Sequence, residues 1–409
     1  MWQYGKLPKG WSIEKIGEYA SVITDYVANG SFAALAENVN YKSEPDYAVL
    51  IRLTDYNNNF NSDFVYIDEH AYEFLSKSKL YGNEIIISNV GANVGTVFKC
   101  PKLQKKMSLA PNAIMLKTKG NDDFYYYWFT SRNGQHSLQS IVTGSAQPKF
   151  NKTNFKELLV PVPPLDVQEK IAEYLCDIDK KIELNKNINE NLETQAQAIF
   201  TNMFAKNNSV ISATIADIAL NITDGVHNTV HDDPQGNYFL LSCKNIKGSS
   251  LNIANSDRRI SLETFEKLRR RTKLSKGDVL ISSVGTIGEL LLLNEEPHNY
   301  EFQRSVAMIK PNLNIVSPAY LYESLLNKKT ELINAAHGAV QQCLFISDIS
   351  NFPIGIPQSD DLRKFDAIVT PIFDIITANE TENRRLSDIR DTLLPKFMSG
   401  EIDVSTFDL

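Results

Sequence analysis

Polar and apolar positions follow two rhythms along this chain. Short aliphatic and β-branched runs at residues 48–53, 84–88, 113–116, 238–241, 278–282 and 306–309 are bounded by turn residues, the pattern of buried strands. Residues 123–132 and 318–335 read as short helices. Residues 165–205 behave differently. They contain no Gly or Pro and follow a Pro-rich stop, Val160-Pro161-Val162-Pro163-Pro164. Asp166 stands at the expected N-cap, with Glu169 at capping-box spacing. One row runs Ile171, Ile178, Asn185, Leu192, Ile199, and a second runs Leu175, Ile182, Asn189, Ala196, Met203. A seven-residue beat of this length predicts a coiled-coil helix of roughly 60 Å. The competing reading is an amphipathic helix lying on a globular core.

The pattern repeats. Residues 80–91, LYGNEIIISNVG, align with 274–285, LSKGDVLISSVG, at a shift of 194. The same shift carries Gly144 onto Gly338, Gln147 onto Gln341 and Pro163 onto Pro357. It then places Ile178, Ile182, Leu192 and Ile199 on Ile372, Ile376, Leu386 and Leu393. Asn185 and Asn189 fall on Asn379 and Asn383. Upstream, Ile23-Thr24-Asp25 resembles Ile222-Thr223-Asp224 at a shift of 199. A repeat of this kind makes the order globular unit, long helix, globular unit, long helix.

The expected fold class is α/β (α+β): two globular domains separated by two long helices that pair as an antiparallel coiled coil, with a pseudo-two-fold internal repeat. Only about ten residues join 205 to 215. Parallel pairing would force the chain to travel a full helix length back through the second unit, and antiparallel pairing needs no such return. The domains are read as 1–160, a central helix 161–206, 207–357, and a C-terminal helix and tail 358–409. Asn185 and Asn189 would then face Asn379 and Asn383, polar seam positions that fix register at a cost in stability. They could instead lie off the interface.

Composition alters this picture in one respect. The 409 residues are 43% hydrophobic with a net charge of −7, which at first argues against a nucleic-acid partner. The helical stretches 165–205 and 358–409 hold 19 acidic and 10 basic residues, a balance of −9, which leaves the globular units near +2. The acidity belongs to the helices. Lys102, Lys105 and Lys106 cluster in the first head, and Arg258, Arg259, Arg269, Arg270, Arg271 and Lys273 in the second. Such clusters suit phosphate contacts, or a solvated surface. Residues able to read base edges stand in loops: Asn112, Gln147 and Lys149 in the first head, Gln303, Arg304, Gln341 and Gln342 in the second. Turn or capping chemistry is the alternative for each.

No catalytic constellation is legible. Gly91-Ala92-Asn93-Val94-Gly95 lacks the lysine of a phosphate-binding loop and reads as a turn between strands. His227 and His231 lack the glutamate of a zinc-protease helix, so no metal site is assigned. The four cysteines are isolated, as in a reduced cytoplasmic protein. No apolar run reaches the ~18 residues of a membrane span.

Several of these segments together resemble the specificity subunit of a type I restriction–modification system. They are Gly144-Ser145-Ala146-Gln147-Pro148-Lys149-Phe150, Val160 to Leu165 followed by Gln168-Glu169-Lys170-Ile171, Ile85-Ile86-Ile87-Ser88 leading into Gly91, and 382–401, ENRRLSDIRDTLLPKFMSGE. The resemblance spans nearly the whole chain. It implies a non-catalytic subunit with two target-recognition domains, each reading half of a bipartite double-stranded DNA sequence. It also implies helices that act as a ruler and dock two methyltransferase (modification) subunits, with a restriction/translocase subunit joining for cleavage. No cofactor is implied in this chain; S-adenosylmethionine would sit on the partner. The second half departs from the pattern, since 337–343 lacks the usual Pro and 355–359 lacks the Pro-Pro pair. The alternative is an orphan or silent specificity scaffold that binds partners without productive DNA recognition.

Overall fold

A computed structural model describes residues 7–61, 63–205, 211–338 and 342–404. The chain forms two compact units: residues 1–182 with 384–409, and residues 183–383. Each contains one globular head and half of each long helix.

The head of the first unit is built on an inner sheet ordered Ala20–Asp25, Ala113–Thr118, Ile85–Ser88, Val97–Lys99, antiparallel throughout. The continuous apolar run at 85–88 is explained by burial on both faces. Ile85 and Ile87 enter a core shared with Ile114, Leu116, Ile171, Leu175 and Phe397, whereas Ile86 packs with Val49, Phe98, Met107 and Met115. The strand period of two thus serves two cores at once. An outer sheet follows the order Val65–Ile67, Ala48–Ile51, Lys106–Leu109, Lys79–Leu80, with its central pair parallel.

The second unit repeats the plan. Its inner sheet is ordered Ala219–Asp224, Val306–Pro311, Val279–Ser282, Leu290–Leu292, and its outer sheet Arg259–Ile260, Tyr238–Leu241, Tyr300–Phe302. Val279 and Ile281 face the core that holds Phe200, Phe365 and Val369, while Leu280 faces Leu241, Phe302 and Met308.

The long helices are Leu165–Phe200, which widens into a π turn at Thr201–Ala205, and Ser359–Ser399. Within the first unit Tyr174 meets Phe397 and Asp179 meets Arg390. Within the second, Asn185 meets Asn383 and Asn189 meets Asn379. In each unit the partner's number falls as the first rises, so the pairing is antiparallel. The seam is buried at Ile171, Leu175, Ile182 and Ala196, with Asn185 1% exposed.

Three details differ from the sequence reading. The first long helix starts at Leu165, and its opening amides, Val167 and Gln168, donate to the Pro164 carbonyl. Asp166 therefore lies inside the first turn rather than at the cap, where its charge favours the helix dipole. The Pro-rich stop is also a strand: Leu159–Val162 pairs with Ser12–Lys15 in a two-stranded ribbon, a place where Pro161 costs no second ladder. At its far end the first helix buries Phe200 and Phe204 against Tyr320 and Phe365, so the seven-residue beat yields to a spacing of four.

Candidate nucleic-acid interface

In the first head, four segments converge at one end of the inner sheet. Asp25 ends one strand opposite Ile114, and Ser88 ends another opposite Ala113. Beyond Ser88, the Asn89 amide donates to the Asn112 carbonyl (3.0 Å), and Asn89 Nδ2 donates to the Phe150 carbonyl (3.1 Å). Phe150 N donates back to Asn89 O, and Gly91 N to Pro148 O. Thr143 and Lys149 exchange backbone hydrogen bonds of 2.8 and 2.9 Å, closing the loop at its base. Gly144 turns it with φ +89°, and an added Cβ would meet the Gln147 carbonyl at 2.8 Å, so glycine is required here. The result is a loop fixed at its root, with Gly144 to Gln147 and Lys149 exposed. Asn112 sits beside it in a left-handed turn, φ 68°. Across the sheet end, Lys152 Nζ lies 2.8 Å from the Asp25 carboxylate, which also accepts from Ala28 N.

The second head assembles the same cluster from different side chains. Ser283 stands where Asn89 does: its amide donates to Ser305 O (2.9 Å), its hydroxyl to Arg304 O (3.3 Å), and its carbonyl accepts from Leu344 N (2.9 Å). His337 and Cys343 close the terminal loop through backbone bonds of 2.9 and 2.7 Å. The acid at the strand end, Asp224, is approached by His227 Nε2 at 2.6 Å, and Arg271 donates to the Asp224 carbonyl. Gln303 is half-buried, whereas Arg304 and Gln342 are exposed; Gln341 lies outside the described residues.

The fold thus joins Asn112, Gln147 and Lys149 in one cluster, and Gln303, Arg304 and Gln342 with the root of their loop in the other. It does not bring the basic clusters there as blocks. Lys106 begins its outer-sheet strand, at the end opposite Asn112. It donates to the Tyr47 hydroxyl, which holds its ammonium above the ordinary lysine range, and lies over the Tyr47 and Tyr72 rings. Lys105 lies over Tyr66, and Lys102 packs its stem against Gly82. In the second head Arg269 is committed to the interior: it pairs with Glu301, which is fully buried, and donates to the Pro297 and Tyr300 carbonyls. Burial pushes the Glu301 carboxyl up, and Arg269 opposes that shift. Arg258 binds Asp232 and the Val230 carbonyl, and Arg259 binds Gly236 O while lying over Phe239. Arg270 leans on Glu266 of its own helix. Lys273 is a left-handed C-cap, φ 50°.

Sequence reasoning missed Asp25, Lys152, Asn89, Ser283 and the Asp224–His227 pair. The repeated Ile-Thr-Asp at 23–25 and 222–224 was the available signal, because it ends equivalent strands.

In the helical seam of the second unit, Asn185 Nδ2 donates to Asn383 Oδ1 (2.9 Å) and Glu382 Oε2 (2.7 Å). Asn379 Nδ2 donates to Asn189 Oδ1 (2.8 Å). Among the described residues no group of three or more His, Cys, Asp or Glu side chains is arranged to hold a metal ion. No helix among them is long and apolar enough to cross a membrane.

Known proteins share both sequence and fold with this chain. Residues 8–194 and 228–389 match the family described as type I restriction modification DNA specificity domain. The type I restriction enzyme MjaIX specificity subunit of Methanocaldococcus jannaschii is 27% identical over 98% of this chain and 95% of that protein. The type I restriction enzyme EcoBI specificity subunit of Escherichia coli is 22% identical over 69% of this chain and 66% of its own length. The crystal structure of a type I restriction–modification system S subunit from M. genitalium has the same fold, with TM-score 0.56 and 16% identity over 97% of this chain and 99% of that one. With matched segments covering both heads and most of both helices, the chain belongs to the type I restriction–modification DNA specificity family, as a specificity subunit and not a catalytic one.

Proposed function

We propose that this subunit reads a bipartite duplex DNA sequence, with residues 1–160 and 207–357 as its two target-recognition domains. The observation that carries this reading is the duplicated loop cluster. In both heads a rigid sheet end holds a terminal loop by its root and leaves side chains with base-reading chemistry exposed. Asn112, Gln147 and Lys149 serve one half-site; Gln303, Arg304, Gln341 and Gln342 serve the other. Lys102, Lys105 and Lys106, and Arg258, Arg259, Arg270, Arg271 and Lys273, supply positive potential towards phosphates. Arg269 contributes by holding its helix on the outer sheet. The long helices, 161–206 and 358–409, set the half-site spacing, and their paired asparagines fix its register. Two methyltransferase subunits carrying S-adenosylmethionine dock on these helices, and a restriction/translocase subunit completes the complex in the cytoplasm.

Mapping methylated adenines in DNA from cells that express this chain with its methyltransferase tests the reading. A fixed bipartite motif is expected. Replacing residues 1–160 by another recognition domain changes one half of it and leaves the other intact. Four residues inserted at matched points of both helices lengthen them by ~6 Å, close to two base pairs at ~3.4 Å each, and the spacer grows accordingly. A motif with no fixed spacer, or methylation by the isolated chain, overturns the proposal.

A further inference from the structure

The second head contains one arginine whose role in its own architecture ends at the backbone. Arg258, Arg259, Arg269 and Arg271 each donate to carbonyls or hydroxyls of their own head, and Arg270 rests on its own helix. Arg304 differs. Its amide donates to Val226 O (3.1 Å), and its carbonyl accepts from the Ser283 hydroxyl (3.3 Å). The neighbouring Gln303 amide donates to Leu241 O (2.8 Å), and the Ser305 hydroxyl accepts from Cys243 N (3.1 Å). Segments 224–226, 241–243 and 283 thus grip residues 303–305 from three directions. Gly225 belongs to that grip, since an added Cβ would meet the Gln303 carbonyl at 2.2 Å. The Arg304 side chain is exposed, and its guanidinium has no hydrogen bond or ion pair among the described residues.

A fixed root with an unengaged planar fork is the arrangement that bidentate recognition of guanine O6 and N7 requires. We infer that Arg304 reads a guanine in the half-site contacted by the second head. The inference rests on the DNA-reading function proposed above and narrows it to one residue and one base type. It also makes the two heads unequal. Asn112 and Ser305 occupy equivalent places before their strands, so Arg304 corresponds to Pro111 in the first head, which has no guanidinium there.

The test uses the full chain assembled with its methyltransferase, and compares methylated motifs for the unaltered protein, Arg304→Ala and Arg304→Lys. Both variants are expected to relax one guanine position, in one half-site only, by roughly ten- to a hundredfold. The lysine variant keeps the charge but loses the fork, so it relaxes too. Thermal melting is expected to be unchanged, because the side chain is exposed. A motif identical to that of the unaltered protein overturns the inference and leaves the wider reading standing. So does uniform weakening at every base with a shallower salt dependence, which marks a phosphate contact. Absence of any fixed motif in the unaltered protein overturns both.

Discussion

The two units use one backbone plan but join head to helix with opposite chemistry. In the first, Tyr127 donates to Asp179 Oδ2 (2.6 Å), and Arg390 from the second long helix binds Asp179 Oδ1 (2.8 Å). Burial and the hydrogen bond to Asp179 together hold the Tyr127 hydroxyl well above the ordinary tyrosine range. In the second, the matching pair is Tyr322 and Phe373, ring to ring at 5.8 Å. Tyr125 and Tyr320 confirm the alignment, because each donates to a carbonyl of its terminal strand, Pro161 and Gly355. Three residues further along, Trp128 is replaced by Glu323, 1% exposed, with Oε2 lacking a partner among the described residues. A polar network in one junction and an apolar contact beside a buried acid in the other satisfy the same geometry. The backbone plan therefore constrains where these side chains meet much more tightly than what they are.

The comparison can be broken most forcefully at the cores. Phe365 is fully buried against Phe200, Phe204 and Tyr320, so Phe365→Ala should cost about 3–5 kcal/mol. Hydrogen exchange at Val279–Ser282 should accelerate while Ile85–Ser88 keeps its protection. Equal loss in both strands would contradict two separately built cores.

Next is Glu323. Burial, and secondarily Glu193, push its carboxyl from 4.5 up to about 8. Glu193 is itself pushed up by burial, against its bond from Ser249. Between about pH 4.5 and about 8 the folded chain holds a proton that the unfolded chain has released, so stability falls as pH rises through that window and levels off above it. Glu323→Gln removes that slope and should stabilise the protein at pH 8 by on the order of a few kcal/mol, with the gain shrinking towards pH 5. Chemical denaturation at both pH values decides it, and a variant no more stable at pH 8 refutes the cost assigned to this acid.

Smaller effects are expected in the seam and at the polar junction. Replacing Asn189 and Asn379 together by Leu should raise thermal stability by about 1–2 kcal/mol, because a polar seam pair trades stability for register. Lower stability would mean that the pair holds the seam instead of taxing it. Tyr127→Phe should lose about 1 kcal/mol, the net value of one hydrogen bond. The first unit's unfolding in urea measures it, and a neutral result would mean that the Tyr127–Asp179 hydrogen bond adds nothing to the stability of that junction.

Much of the architecture is legible in the amino-acid sequence. The apolar runs at 84–88 and 278–282 lie on doubly buried strands, and the seven-residue rows supply the buried seam at Ile171, Leu175, Ile182, Asn185, Asn189 and Ala196, while Ile178, Leu192, Ile199 and Met203 are half-buried. Local periodicity carries such information because burial imposes it residue by residue. Misreadings arose where two elements share a duty. Val160-Pro161-Val162 punctuates a helix and also pairs with Ser12–Lys15, and nothing in its local pattern announces a partner about 150 residues away. The candidate reading loops were found by residue type. The sorting of the second head's arginines into anchored and presented side chains was not, because Arg269 and Arg304 have identical chemistry and differ only in what surrounds them.

The sequence by itself determined the duplication, the strand and helix rhythms, the placement of acidity on the helices and the antiparallel sense of their pairing. These follow from spacing and chain connectivity, which are properties of the covalent chain. Tertiary structure alone decided which cations are spent on buried acids, which loop residues are fixed at the root, and that one junction is polar while the other hides Glu323. Those outcomes depend on distances between residues far apart in sequence, where burial and hydrogen bonding set the energy of each group.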